Sequence, residues 1–438
     1  MTSTLLKFPR LNAPKIHRLS NGLTILAEQI PVEAVNLSLW SKVGSAVETD
    51  TINGMAHFLE HMVFKGTQRL APGEFERRVE ERGGVTNAAT SQDYTYYYIT
   101  TAPKDFADLA PLQVDVVINP TIADDAFERE RLVVLEEIRR SEDNPRRRSF
   151  RRAMELAYED LPYRRPVLGP ESIISQLKPQ QMRDFHNHWY QPDAITAVAV
   201  GNLPEEELID ILQQGFEDVF SRKEIHLPQS TNNNSDGLIG SKKPDSEKPF
   251  TEIVRQEFID ENLQQARLMM LWRVPGLNQL ELTFALDVLA GILGQGLTSR
   301  LVRDLREEQG LVSYISASNM TNKWQGTFYI SAHCSVENLP LVEAAILKHI
   351  ARLSQETIQE SEIARVRKRV ANRFIFANEK PSDRAGLYGY YQTLLDNLEV
   401  AFDYPNYIQA QETSDLMEAA QKYLSPEAYG VISLKPAV

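Results

Sequence analysis

Residues 35–64 read VNLSLWSKVGSAVETDTINGMAHFLEHMVF. Residues 35–43 form a strand pattern, Gly44 interrupts it, and apolar positions recur at helical spacing over 52–64. The same sequence of events returns in the second half of the chain. There a strand over 268–274 ends at Pro275-Gly276, and a helix follows over 280–293. Between the two lies 221–249, SRKEIHLPQSTNNNSDGLIGSKKPDSEKP, polar, rich in Asn, Ser, Gly and Pro, and without a period, as a linker would be. One structural unit used twice is therefore expected, with a domain over 1–220, the linker, and a second domain over 250–438.

Strand patterns at 17–19 and 23–26 flank Asn21-Gly22, a hairpin signal because both residues tolerate positive φ. A helix over 74–81 stops at Gly83-Gly84, and 86–100 reads as strands with tyrosines at 94, 96, 97 and 98. Helices are expected near 104–117, 124–141, 147–159, 178–189 and 205–220, with a strand at 194–201. In the second half, strands at 313–318, 326–333 and 429–434 and helices at 339–353 and 360–376 repeat this order in outline. The fold expected is α/β of the α+β type: two homologous domains, each a mostly antiparallel sheet backed by helices.

The 438 residues carry 47 Lys and Arg against 60 Asp and Glu, a net charge of −13 that disfavours a nucleic-acid partner. A hydrophobic share of 42 % with 24 % charged residues is that of a globular chain. The longest apolar stretch, 284–297, is broken by Asp287 and three glycines, so no membrane span is expected. One cysteine, Cys334, cannot form an internal disulfide and suits a reducing compartment. The early basic residues Lys7, Arg10, Lys15 and Arg18 are followed by no secretory apolar run. An untargeted cytoplasmic chain is expected, or a mature chain in an organelle matrix.

The chemistry gathers on the helix over 52–64, which carries His57, Glu60 and His61. Positions i, i+3 and i+4 share one helix face, so both imidazoles can grip one ion while Glu60 stands beside it. The order H-x-x-E-H is an inverted zinc-peptidase signature. A third ligand is available from the helix over 124–141, where Glu130 and Glu137 are seven apart and on one stripe. Val133, Val134 and Leu135 mark that helix as largely buried, and buried carboxylates need partners. A catalytic zinc takes three protein ligands and keeps one position open, so one Zn2+ per chain fits two histidines and one glutamate. Glu60, not needed as a ligand, is the natural general base.

This helix, followed by GGVTNAATSQDYTYYY at 83–98 and ERERLVVLEEIRR at 128–140, resembles the pitrilysin, insulinase and mitochondrial processing peptidase family. The resemblance extends to PYRRPVLG at 162–169, FHNHWYQPD at 185–193 and TSRLVRDLREEQGLV at 298–312. It implies that Glu137, which stands 76 residues after His61 as in that family, is the third zinc ligand, and that Glu130 is its supporting carboxylate. It implies peptide substrates held as an added β-strand along Asn87, Ala88 and Thr90. The chain's length matches the short, two-domain branch in which two subunits enclose a clam-like chamber. Catalytic members pair an Arg with a Tyr seven residues later; here Arg306 fits, but Ser313 holds the tyrosine's place and Tyr314 follows it. On a regular strand Ser313 and Tyr314 face opposite sides, and the alternative is a one-residue bulge that restores Tyr314 to the cavity. The expected partner is therefore a related subunit carrying the Arg/Tyr pair in a heterodimer, or a second copy in a homodimer. The rival reading is a non-catalytic core or assembly subunit, against which the intact quartet His57, Glu60, His61 and Glu137 speaks.

His186 and His188, at i and i+2, point apart on a helix and suit packing or surface roles. His17, His226, His333 and His349 lack ligand-spaced neighbours. The run Arg139, Arg140, Arg146, Arg147, Arg148, Arg151 and Arg152 reads as a solvated helix face, or as a docking surface for an acidic partner.

Overall fold

The computed structural model describes residues 11–222 and 245–437; most of the expected linker, with His226, lies outside the described residues. The first half runs β1 (Lys15–Arg18), β2 (Thr24–Gln29), β3 (Val35–Ser41), α1 (Met55–Val63), α2 (Glu74–Glu80), β4 (Val85–Thr90), β5 (Thr95–Thr101), α3 (Phe106–Ile118), α4 (Asp124–Asp143), α5 (Pro145–Ala157), α6 (Glu171–Ile174), α7 (Pro179–Trp189), β6 (Ile195–Gly201) and α8 (Glu205–Arg222). The second runs β7 (Val254–Asp260), β8 (Ala266–Pro275), α9 (Phe284–Gly294), β9 (Val312–Met320), β10 (Gln325–Cys334), α10 (Leu339–Gln355), α11 (Glu360–Phe376), α12 (Pro381–Leu395), α13 (Glu399–Ala410), α14 (Thr413–Tyr423) and β11 (Gly430–Pro436).

The sheets are ordered β1-β2-β6-β3-β5-β4 and β7-β11-β8-β10-β9. Removing β1 leaves one plan used twice. In each sheet a single parallel pair, β2 with β6 or β7 with β11, joins an otherwise antiparallel set. The expected class, two α/β units with mostly antiparallel sheets, is the one observed. β7 and the helices α12 to α14 have no counterpart in the sequence expectation.

Local chemistry explains where elements start. α1 begins at Met55, not residue 52, because Gly54 takes φ +96°, in the left-handed region that favours glycine. The preceding stretch folds as two single 3-10 turns, Ser45–Val47 and Asp50–Ile52. α5 begins at Pro145, with the Asn144 side chain accepting from the Arg146 and Arg147 amides, an N-cap with proline at the first position.

Each sheet buries both faces. In the first, Leu37, Leu39, Tyr97, Ile99 and Ala197 pack against Phe58, Leu59, Val114 and Phe216 of helices from the same half. The other face, with Leu26, Trp40, Val198 and Val200, meets Ala385 and Tyr388 of α12, from the second half. The second sheet mirrors this. Its face bearing Met269, Leu271, Ile432 and Leu434 is covered by Ala153, Met154 and Ala157 of α5, from the first half.

Buried polar contacts fix both exchanged helices. Glu28 on β2 is paired with Arg384 and accepts from the Tyr388 hydroxyl at 2.9 Å. Arg148 Nε donates to Asp260 at 2.8 Å, and the Tyr158 hydroxyl lies 2.6 Å from Thr327 Oγ1. Between the halves, Asp93 accepts from the Tyr163 hydroxyl at 3.0 Å and from the Lys323 amide at 2.9 Å. No helix among the described residues is long and apolar enough to cross a membrane.

The contact of α12 with β3 makes a testable prediction at Gly389. An alanine Cβ there would stand 2.1 Å from Trp40 Nε1, so the buried indole must move. Helix propensity alone would make Gly389→Ala stabilising by about 1 kcal/mol. Overpacking should instead destabilise the chain by roughly 1–3 kcal/mol and lower its Tm. A higher Tm in thermal unfolding would contradict the close packing.

Candidate metal centre

α1 and α4 cross so that one nitrogen from each of two histidines meets one carboxylate. His57 Nε2 lies 3.6 Å and His61 Nε2 3.5 Å from Glu137 Oε2. These separations are long for hydrogen bonds. Four ligands at about 2.0–2.2 Å in a tetrahedron stand roughly 3.3–3.5 Å apart, so the donors present fit one zinc ion. His57, His61 and Glu137 form the candidate metal-holding group among the described residues.

Beside the triad, other groups fix the His61 ring, whereas His57 Nδ1 is buried without a hydrogen-bond partner. His61 Nδ1 is 2.9 Å from Glu130 Oε1, and Glu130 Oε2 binds Lys65 at 2.8 Å, so Glu130 steers His61 Nε2 toward Glu137. Burial and the neighbouring His61 push His57 down to about 4. At His61 burial also acts downward, but Glu130 and Glu137 override it and raise the imidazole to about 9. Glu130 itself sits below the usual carboxylate range: burial opposes this, and the hydrogen bonds from His61 and Lys65 prevail.

Glu60 sits one turn along α1, largely buried, and accepts from Thr90 Oγ1 of β4 at 2.5 Å. Burial lifts its carboxyl above the usual range, with a smaller push from Glu137. The shift moves it toward the range where a carboxylate exchanges protons near neutrality.

Sequence reading missed Glu48. Its side chain is buried, with Oε1 accepting from the Ala56 amide at 2.7 Å and Oε2 from the Gly54 amide and Asn53 Nδ2, each at 2.8 Å. A carboxylate thus takes the free amides at the N-terminus of α1, where the helix dipole favours negative charge. Gly54 has no side chain to cap with, so the cap comes from six residues back, outside the spacing at which caps are sought. Burial raises Glu48 to about 7, against these hydrogen bonds.

The triad opens into a cavity of about 1000 Å³ between the halves, lined by His57, Glu60, Thr90 and Glu137 on one side and by Tyr314 and His333 on the other. β4 is an edge strand, with β5 as its one partner in the sheet order. Ala89 and Thr90 line the cavity; Asn87 and Ala88 are not among its lining residues.

Two expectations for the second half need correction. Ser313 and Tyr314 do not face opposite sides: both are exposed between buried Val312 and Ile315. His333 pairs with Tyr314 but Cys334 with Val312, so Ser313 is the extra residue of a β-bulge, which turns Tyr314 into the cavity. Arg306 is not among the residues lining the cavity. It lies on the π-helical stretch Val302–Glu308 and bonds to Glu307 at 2.7 Å. As expected, His186 is a packing histidine, its Nε2 2.9 Å from the Val117 carbonyl.

Residues 23–171 match the family described as Insulinase (Peptidase family M16), and residues 176–370 match Peptidase M16 inactive domain. All four residues of the quartet fall in the first match. A Rickettsia bellii protein named "Uncharacterized zinc protease" is 26 % identical over 95 % of this chain and 96 % of its own. The Zinc protease PqqE of Helicobacter pylori is 27 % identical, covering 95 % of this chain and 92 % of its own length. Among solved structures, a protease from Helicobacter pylori superposes with a TM-score of 0.86 at 25 % identity, over 97 % of this chain and all of that one.

Zinc titration should separate the carboxylates on α4. Glu137→Gln should weaken binding most, Glu130→Gln by about 10 to 100-fold as expected for a partner of a ligand, and Glu136→Gln hardly at all, because Glu136 faces outward onto Arg140. Equal losses at 136 and 137 would overturn the register. Glu48→Gln leaves one acceptor where two oxygens served three donors, and should cost roughly 1–3 kcal/mol in chemical denaturation at neutral pH.

Proposed function

The chain belongs to the insulinase family of peptidases, family M16, and on that premise we propose that it is a zinc-dependent endopeptidase acting on extended peptides. The observation that carries this is the spacing of His57, His61 and Glu137, which suits one ion, with Glu60 beside them on the cavity wall. When bound, zinc supplies Lewis acidity toward the scissile carbonyl and lowers the pKa of a water toward about 7.

Glu60 accepts the proton of the attacking water and returns it to the leaving amine. Its burial suits both tasks, and the Thr90 hydroxyl holds it in place. The unpaired edge of β4 offers main-chain donors and acceptors to a peptide lying along Asn87, Ala88 and Thr90, giving affinity with little sequence preference. Tyr314 stands across the cavity as a donor for charge developing on the scissile carbonyl. Arg306 is turned to Glu307, so the arginine expected beside that tyrosine comes from a second subunit, identical or related, that closes the open side of the cavity.

His57→Ala and His61→Ala should each abolish the single zinc per chain in elemental analysis. Glu60→Gln should keep the zinc yet lose hydrolysis of an unfolded peptide by about a hundredfold or more. A Glu60→Gln chain that retains hydrolysis would remove the general base from this scheme. The isolated chain should be weakly active, and Tyr314→Phe should lower what activity it has by about tenfold or more. Full activity alone, insensitive to that hydroxyl, would overturn both the second subunit and the role of Tyr314.

A further inference from the structure

The arginine run at the start of α5 has no part in the chemistry above, yet it faces the same cavity. Arg146, Arg147, Arg148 and Arg151 all line it, although the chain as a whole carries a net charge of −13. Arg148 is bound to Asp260 and Arg151 to Glu142. Arg146 and Arg147 have no ion pair among the described residues, and their amides are already taken by the Asn144 cap.

A further cation stands in the other half: Arg267 is not among the residues lining the cavity but bonds to His333, which is. Arg267 on β8, His333 on β10 and Tyr314 on β9 lie in one cross-strand row. Arg267 Nη1 is 2.9 Å from His333 Nε2, so that nitrogen accepts and the ring is neutral. The Tyr314 and His333 rings lie 4.8 Å apart, and the Tyr314 hydroxyl donates to Ser316 Oγ at 3.0 Å. Arg267 Nε is buried without a hydrogen-bond partner. Burial, then Arg148 and Arg146, depress the Arg267 guanidinium below its usual range, with only Asp260 opposing. Asp260 is already bound to Arg148. The cations of the two walls are thus close enough to repel one another, and the carboxylates that act on them are already engaged, Asp260 by Arg148 and Glu137, which acts on Arg147, by His61 and His57.

We propose that Arg146 and Arg147, on the cavity that Tyr314 and His333 also line and with Arg267 behind His333, form an anion-binding subsite that takes a carboxylate of the bound peptide, either an acidic side chain or the free C-terminus. This rests on the peptidase reading for its ligand, and supplies a preference that an edge strand cannot. A chain this acidic repels acidic peptides on average, whereas a cationic patch inside a cavity draws them in.

The test separates the subsite from catalysis by using the zinc-loaded Glu60→Gln chain and reading binding by fluorescence anisotropy. Four labelled peptides of one sequence carry Glu or Gln at one position and a free or amidated C-terminus. The peptide with both carboxylates should bind about tenfold or more tighter than the one with neither, the size of one charge-assisted hydrogen bond. The advantage should shrink as salt rises. Whichever single-carboxylate peptide keeps the advantage identifies its source. Arg146→Gln should remove most of it and Arg267→Met, behind His333, a smaller part, while Arg146→Lys, which keeps the charge, should retain part. Four equal affinities overturn the subsite, and an advantage that survives both neutralising substitutions overturns the residues assigned to it. Absence of hydrolysis by the parent chain would count against the peptidase reading alone, since the binding comparison does not depend on it.

Discussion

A sheet with apolar side chains on both faces needs cover on both, and in this chain neither half carries enough helix on the right side to supply it. Leaving side chains such as Leu26, Val198 and Val200 in water would forfeit roughly 1.5–3 kcal/mol apiece. The exchange of α5 and α12 meets that demand. Each half lends one helix to the other, so the cores interlock and the wall of the cavity is set by packing rather than by a flexible join. The buried anchors, Glu28 with Arg384 and Tyr388, and Arg148 with Asp260, give the exchange a fixed register.

The metal-holding residues draw on that rigidity. His57 and His61 project from one short helix whose N-terminus is fastened by Glu48 from an adjoining loop, and Glu137 comes from the helix that leads directly into exchanged α5. Glu130 orients His61 while Lys65 holds Glu130, and Thr90 holds Glu60 from the neighbouring edge strand. His61 and Glu60 are thus each positioned by a second group on a different element, whereas His57 Nδ1 is buried without a hydrogen-bond partner. Two carboxylates and two imidazoles gathered in a partly dry pocket perturb one another's proton affinities in opposite directions, as His57 and His61 do. Such divergence is common where groups are arranged for chemistry.

Features that depend on one helix's own period were legible in the sequence. His57, Glu60 and His61 had to share a face of α1, and Glu130 and Glu137 had to share a stripe of α4. The repeat of strand, glycine and helix at both 35–64 and 268–293 disclosed the doubled plan. Features set by partners distant along the chain were not legible. Glu48 caps a helix from outside the usual cap position; the bulge at Ser313 comes from how β10 pairs, so residues 312–320 offer it only as an alternative to a regular strand. Neither α12 nor the contact of its Gly389 with Trp40 was read, and that contact joins positions almost 350 residues apart. Arg306 was misplaced for a related reason: family spacing fixed its number, while its local π-helical turn fixed its direction.

The exchange of helices also bears on how the chain reaches this state during synthesis. As the first half leaves the ribosome it can assemble β1 to β6 and the helices on one face, but the face bearing Trp40, Tyr94, Tyr96, Val198 and Val200 waits for α12, which is made nearly two hundred residues later. Domains commonly fold as units in N-to-C order during synthesis. Here that order stops short, because the first core can be finished only by the last third of the chain. Until then a sheet face rich in aromatic side chains is open to solvent and to other nascent chains, a hazard that long-range pairing makes slow to resolve. Its closing contact, Tyr388 and Arg384 reaching Glu28, joins the two halves and requires α12 to have been made.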